Sequence, residues 1–475
     1  MFRTSEPALD AGERRSGIQG PHDNAIDLMT TASMCQSEII HLAADLSFFH
    51  TDYLWRMPGS WSGYSYYSRP DFYEDVARIA ARGIFDLLFF GDSAGTSEEF
   101  GGNHHTAVRY GVKWPWHDMM PMIPCMARAA QGVGFGITMS TTYHHPFYIA
   151  RLFNALDHVT GGRIAWNAVT SRSKNEAANW GYDKLIEHDA RYERAQEHLQ
   201  VVRALWDSVE PDAIVLDRES GVFADPQKVH VLDFRGRYYN VRGPLPALPS
   251  PQGRPVVIQA GQSGPGMELA ATYADLQFST RRTLPSMKEH RAALDAKLAQ
   301  AGRTPRDCGI LWSVRVQVAE SAAAAREKER AYLDAIPPEA GLIELSSMYG
   351  LDFSLLRRDM RLVDVADEVK AQNVHWGSFE EILKTTDPEL TVEQLGRKFM
   401  IERILVAGGT PEMIADQLEE WHRETGGNVG FMLARGFSAP GNLREFVDLV
   451  VPELQRRGLC RRQYLGATLR DNLLH

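Results

Sequence analysis

Eight short runs of apolar, mostly β-branched or aromatic residues punctuate the chain, at 39–47, 85–90, 133–139, 163–169, 256–260, 274–279, 310–318 and 429–433. Runs of this length bounded by turn residues read as buried strands. Helical spacing fills several of the gaps: over 72–82, closed by Gly83, over 191–206, and over 410–421, where Thr410-Pro411-Glu412 supplies an N-cap, a first-turn proline and an early acid. Strands that alternate with helices run parallel, because each crossover returns the chain to the same edge. Eight such strands predict an α/β fold, a (β/α)8 barrel with insertions, with a doubly wound open sheet as the alternative. Two stretches interrupt the alternation. The first, 207–254, is rich in Gly, Pro and β formers and predicts a hairpin-bearing excursion; the second, 336–400, has no assignable pattern.

Length and charge narrow the class. A chain of 475 residues is long enough for about three domains, yet a barrel with insertions fills most of it as one. We expect one domain over 38–465, a disordered leader at 1–37 that mixes charges, Gly, Pro and Ser, and a tail at 466–475. The 51 Lys and Arg against 61 Asp and Glu are dispersed, which leaves no electrostatic footprint for nucleic acid or an anionic membrane. No apolar segment approaches the roughly 20 residues that span a bilayer. Cys35, Cys125, Cys308 and Cys460 are far apart and read as free thiols. A cytoplasmic location is the expectation.

The chemistry is expected where strands end. Between the runs at 256–260 and 274–279 lies GQSGPG, and a helix that starts behind such a turn aims unpaired N–H groups outward, which suits a phosphate at Ser263 and Gly264. The spacing of Gly261, Gly264 and Gly266 does not make G-x-G-x-x-G, so one phosphate fits better than a dinucleotide; a plain β-to-α turn is the competing reading. Asp92, Thr138, Asn167 and Thr170 also follow or end runs, although each could serve locally as a cap, a core residue or a backbone partner. The aromatic stretch 48–67 predicts a pocket wall, with Trp55, Tyr64 and, further on, Trp114 as lining residues. His50 within it is the titratable group best placed for a catalytic role. The adjacent pairs His104-His105 and His144-His145 each offer at most one metal ligand, since neighbours point apart, and no metal signature accompanies them.

Four long segments, 136–171 (GITMSTTYHHPFYIARLFNALDHVTGGRIAWNAVTS), 187–206 (EHDARYERAQEHLQVVRALW), 253–266 (GRPVVIQAGQSGPG) and 409–421 (GTPEMIADQLEEW), resemble the flavin-dependent monooxygenases of the nitrilotriacetate, dibenzothiophene-sulfone and pristinamycin synthase group, within the bacterial luciferase-like barrels. The resemblance runs from about Glu38 to Leu465. It implies a bacterial luciferase-like (β/α)8 barrel in a two-component system. A separate NAD(P)H:flavin reductase delivers reduced FMN (FMNH2) by diffusion, O2 adds at flavin C4a, and one oxygen atom passes to a small-molecule substrate. It further implies that Asp92, Thr138, His188, Tyr192, Ser263 and Gly264 contact the flavin, that Asn167 and Val169 line its ring, that no metal is needed, and that the protein is a homodimer or homotetramer. His188 and Tyr192, four apart, would share one helix face. A deazaflavin-dependent oxidoreductase on the same barrel and a non-catalytic flavin-binding protein are the alternatives. The aromatic residues favour an apolar, aromatic or organosulfur substrate, while Arg56, Arg69, Arg109 and Lys113 leave a polycarboxylate open.

Overall fold

Four strands open the chain: β1 (His41–Asp45), β2 (Leu87–Phe90), β3 (Gly134–Ser140) and β4 (Ile164–Val169). Two antiparallel ribbons follow, β5 (Ile214–Asp217) with β6 (Val222–Ala224) and β7 (Phe234–Arg235) with β8 (Asn240–Val241), so the 207–254 excursion does bear hairpins. The remaining strands are β9 (Val256–Gln259), β10 (Leu276–Ser279), β11 (Gly309–Val318), β12 (Leu405–Gly409) and β13 (Val429–Leu433). These elements belong to a computed structural model that describes residues 39–47, 54–56, 60, 69–371, 379–380, 382–383, 386–399, 404–434 and 440–474. The expected leader lies outside the described residues.

Eight strands close a parallel ring in the order β1, β2, β3, β4, β9, β10, β11, β13, and the ring shuts where His41 to Ala44 pair with Gly430 to Leu433. The fold is therefore the barrel and not the open sheet. Strands wrapped by helices outside and filled by side chains inside are apolar on both faces, which is why they read as continuous runs. Ala43, Leu87, Phe89, Ala165, Ile258, Leu311 and Met432 belong to the inner cluster, whereas neighbours such as Leu88, Phe135 and Trp166 join the outer layer against the helices. Helix Pro70–Arg82 contributes Phe72, Val76, Ile79 and Ala80 to that layer, one stripe of a 3.6-residue period. Arg163, read as the start of a strand, instead donates to the carbonyls of Ala127 at 2.8 Å, Ala130 at 2.8 Å, Val133 at 3.0 Å and Thr160 at 2.7 Å. It thereby closes the C-terminal ends of two helices, where a cation meets the negative end of each dipole.

Three features differ from expectation. β12 is a further strand, paired through Leu405 to Gly409 with Val314 to Val318, the part of β11 that extends beyond its pairing with β10. It lies outside the ring. The 336–400 excursion contains helices Pro338–Tyr349 and Val392–Phe399, which share a separate apolar cluster with Phe353, Leu362 and Val365. Finally, the expected tail holds helix Leu469–Leu474, whose Leu469 and Leu473 enter the inner cluster, while Arg470 forms a two-pronged ion pair with Asp275 at 2.9 Å. Burying two leucines and pairing that arginine turns the segment into the floor of the barrel. No helix among the described residues is long and apolar enough to cross a membrane.

Candidate active site

The loop after β9 has the geometry of an anion cradle. Ser263 caps helix Gly264–Tyr273, its hydroxyl accepting from Gly266 N–H at 3.3 Å and its carbonyl from Met267 N–H at 2.8 Å. The N–H groups of Gln262, Ser263 and Gly264 find no acceptor among the described residues. A Cβ on Gly264 would meet nothing within 4 Å, so the space before the helix is open. Behind it the packing is tight: a Cβ on Gly261 would come within 2.7 Å of the Tyr192 hydroxyl, and one on Gly266 within 2.9 Å of Gly261 backbone. Helix His188–Trp206 begins three residues earlier than its apolar pattern predicts, which places His188 and Tyr192 in its first two turns with ring centroids 4.9 Å apart. His188 Nδ1 lies 2.8 Å from the Asp189 carboxylate, and the Tyr192 hydroxyl faces the Gly261 turn.

Beside this turn, on the strands next to β9, Asn167 of β4 donates from Nδ2 to the Thr138 hydroxyl of β3 at 2.8 Å, and its Oδ1 is buried with no partner among the described residues. A buried acceptor without a donor costs about 1–3 kcal/mol, so it marks a place for a ligand N–H or a water. Strand alternation puts Thr138 and Asn167 on the inward face, one layer above Ala165, with Val169 as the last residue of β4. Phe89 stacks on Phe278 beneath them, centroids 5.9 Å apart. At the rim, Ser47 receives the Gly91 N–H and donates to Asp45, and Trp116 Nε1 donates to Gly91 O at 3.1 Å. Solvent reaches Asp92, yet its recess among protein atoms first and the Asp118 carboxylate second push its carboxyl up to about 6.

The chain as a whole matches known proteins. Residues 55–428 fit the model of the luciferase-like monooxygenases. The chain belongs to that family. It is 38% identical to a dibenzothiophene-sulfone monooxygenase of Rhodococcus erythropolis (strain XP) over 93% of this chain and 97% of that one. It is 36% identical to component A of nitrilotriacetate monooxygenase from Aminobacter aminovorans, over 85% and 89%. The crystal structure of riboflavin lyase with modified FMN and substrate riboflavin superposes with a TM-score of 0.80 at 26% identity, covering 92% of this chain and 96% of that one. The expected group is thus the right one, and the protein is a flavin-dependent monooxygenase.

In this luciferase-like monooxygenase Thr138, Asn167 and Val169 lie at the ends of β3 and β4, Ser263 and Gly264 in the turn after the neighbouring β9 with Tyr192 against that turn and His188 one turn before it on the same helix, and Asp92 follows β2. Trp55 occupies a single helical turn, Leu54–Arg56, and is 45% exposed; Trp114 is 43% exposed. The indole tied to the rim is Trp116. His50 and Tyr64 lie outside the described residues. His144 packs edge-on against Trp180 at 4.8 Å, and His145 accepts the N–H of Phe147. Among the described residues no group of three His, Cys, Asp or Glu could hold a metal ion.

Sequence reasoning missed Glu176. Buried on helix Lys174–Asn179, it accepts from Ser171 Oγ at 3.0 Å, and its carboxyl is pushed up to about 7, by burial first, with Asp92 adding to the effect. The flanking amides of Asn175 and Asn179 donate to Thr96 O at 2.7 Å and Ala94 O at 2.6 Å, clasping the loop after β2 to the loop after β4. A surface-facing asparagine pair on a short helix carries no local signal of such a tie.

Proposed function

We propose that this chain is the oxygenating component of a two-component system, which takes reduced FMN from a separate NAD(P)H:flavin reductase and inserts one atom of O2 into an apolar, aromatic or organosulfur substrate. The observation that carries the cofactor choice is the row of three N–H groups at Gln262, Ser263 and Gly264, open to solvent space and flanked by the Tyr192 hydroxyl. It suits one phosphate. Ser263 and Gly264 would hold that phosphate, with Tyr192 and His188 beside it; Asn167 Oδ1 would accept from a ring N–H, and Val169 would lie against the ring. When bound, the reduced flavin supplies the electrons that activate O2. The protein binds and orients the ring, excludes water, and offers at Asp92 a carboxyl that exchanges its proton near pH 6. An apolar substrate suits Trp116 at the rim and the aromatic composition of 48–67, and the similarity to a dibenzothiophene-sulfone enzyme agrees with it, whereas a polycarboxylate would need several convergent cations.

The purified chain with NADH and FMN should give no turnover until a flavin reductase is added, after which a heteroaromatic sulfone or sulfide should gain one oxygen by mass spectrometry. FMN should bind more tightly than FAD, because the three N–H groups suit one phosphate and the spacing of Gly261, Gly264 and Gly266 is not that of a dinucleotide turn. Turnover without reductase, or preference for FAD, would overturn the reading. Trp116→Ala should loosen the rim at Gly91 and raise hydrogen peroxide released per NADH consumed, with FMN affinity unchanged. Unchanged coupling would make Trp116 a packing residue.

A further inference from the structure

The cradle rests on a chain of hydrogen bonds that runs behind it, away from the mouth. Leu276 and Phe278 of β10 face the barrel interior, so Gln277 between them faces the helices. There its Nε2 donates to Gly261 O at 3.0 Å, with Met267 Sδ also at 3.2 Å. Its Oε1 lies 2.9 Å from Nε2 of His290, on helix Leu284–Gln300, and Nδ1 of His290 lies 3.2 Å from Nη2 of Arg281. Every direction in this chain is fixed. A guanidinium only donates, so Nδ1 of His290 must be the accepting nitrogen and Nε2 must carry the hydrogen. That hydrogen makes Oε1 the acceptor end of Gln277, which turns its amide nitrogen onto Gly261 O.

In a trans peptide the carbonyl and the following N–H point in opposite directions. Pinning Gly261 O towards Gln277, behind the loop, therefore turns the Gln262 N–H to the other side. We propose that Arg281, His290 and Gln277 form a positioning relay that fixes the Gly261-Gln262 peptide plane and so aims the phosphate-binding N–H groups; this rests on the phosphate reading above. His290 is suited to the part because it stays neutral. Burial first, then Arg281 and Arg291, holds it down at about 4, and edge contact with Trp312, centroids 5.8 Å apart, fixes its ring. None of the three residues needs to touch the ligand.

The test compares FMN with riboflavin, which lacks the phosphate, on the whole protein. Wild type should bind FMN at least about 30-fold more tightly than riboflavin. His290→Phe keeps the volume and the contact with Trp312 but loses the donor, and should weaken FMN about tenfold while leaving riboflavin within about twofold. His290→Gln, which can offer an N–H to Gln277, should restore most of the preference. Gln277→Leu, of similar size, should match the phenylalanine variant and carries the test if that variant does not fold. If wild type does not prefer FMN, the phosphate reading itself fails. If it does, and both variants keep the wild-type preference or lose affinity for both flavins alike, the relay is structural packing and the inference is overturned.

Discussion

Ser263→Asp should weaken reduced FMN by about 2–4 kcal/mol, roughly 30- to 1000-fold, while leaving the fold intact. The two halves of that expectation have separate causes. Aspartate is as good an N-cap as serine, so it can still accept the Gly266 N–H and hold the start of helix Gly264–Tyr273. Its charge, however, stands where the phosphate is expected, and two like charges about 4 Å apart in partly screened surroundings repel by that amount. Riboflavin, with no phosphate, should bind wild type and variant almost equally. Equal loss of both flavins would mean that the turn distorts and that charge is not the cause.

Glu176→Gln should make the protein more stable at alkaline pH and change little in acid. The folded protein holds the Glu176 proton up to about pH 7, whereas an exposed glutamate releases it near 4.5. Native Glu176 is thus the tighter proton binder, so stability falls as pH rises from about 4.5 to about 7 and remains lower above that. The total is on the order of 3 kcal/mol. Glutamine keeps an acceptor for Ser171 and removes the buried charge. The thermal midpoint of the variant should exceed that of wild type by a few °C at pH 8.5, with the gap closing towards pH 5. A gap of the same size at both pH values would refute the assignment of the charge.

The ring strands were legible because a parallel barrel buries both faces of each strand, so β2, β3 and β11 appear as unbroken apolar runs. β12 escaped notice because Leu405, Ala407 and Gly409 are buried while Val406 is 40% exposed, a short alternation at the edge that two glycines end. Helix Pro338–Tyr349 escaped for the opposite reason. Eight consecutive positions but one, from Pro338 to Leu345, are buried, so no amphipathic stripe exists to read. The turn at 261–266 was legible as a helix start since its signal is local: Ser263 caps helix Gly264–Tyr273 within it. Gln277, His290, Glu176 and Trp116 gain their meaning largely from contacts with residues well apart in the chain, such as Gln277 with His290 and Glu176 with Asp92, and no local pattern carries that.

The closing seam of the ring governs how the chain reaches this state. β1 pairs with β13, about 390 residues further along, so the cost of closing that loop precedes any reward from the pairing. An unclosed arrangement of the same strands would leave β1 and β13 as bare edges and would expose Ala43, Met432, Leu469 and Leu473, which share one cluster in the closed barrel. Such edges pair with other chains as readily as with their own partner. Slow synthesis at low temperature, which keeps incomplete chains dilute, should therefore raise the soluble yield more than any change at the flavin site.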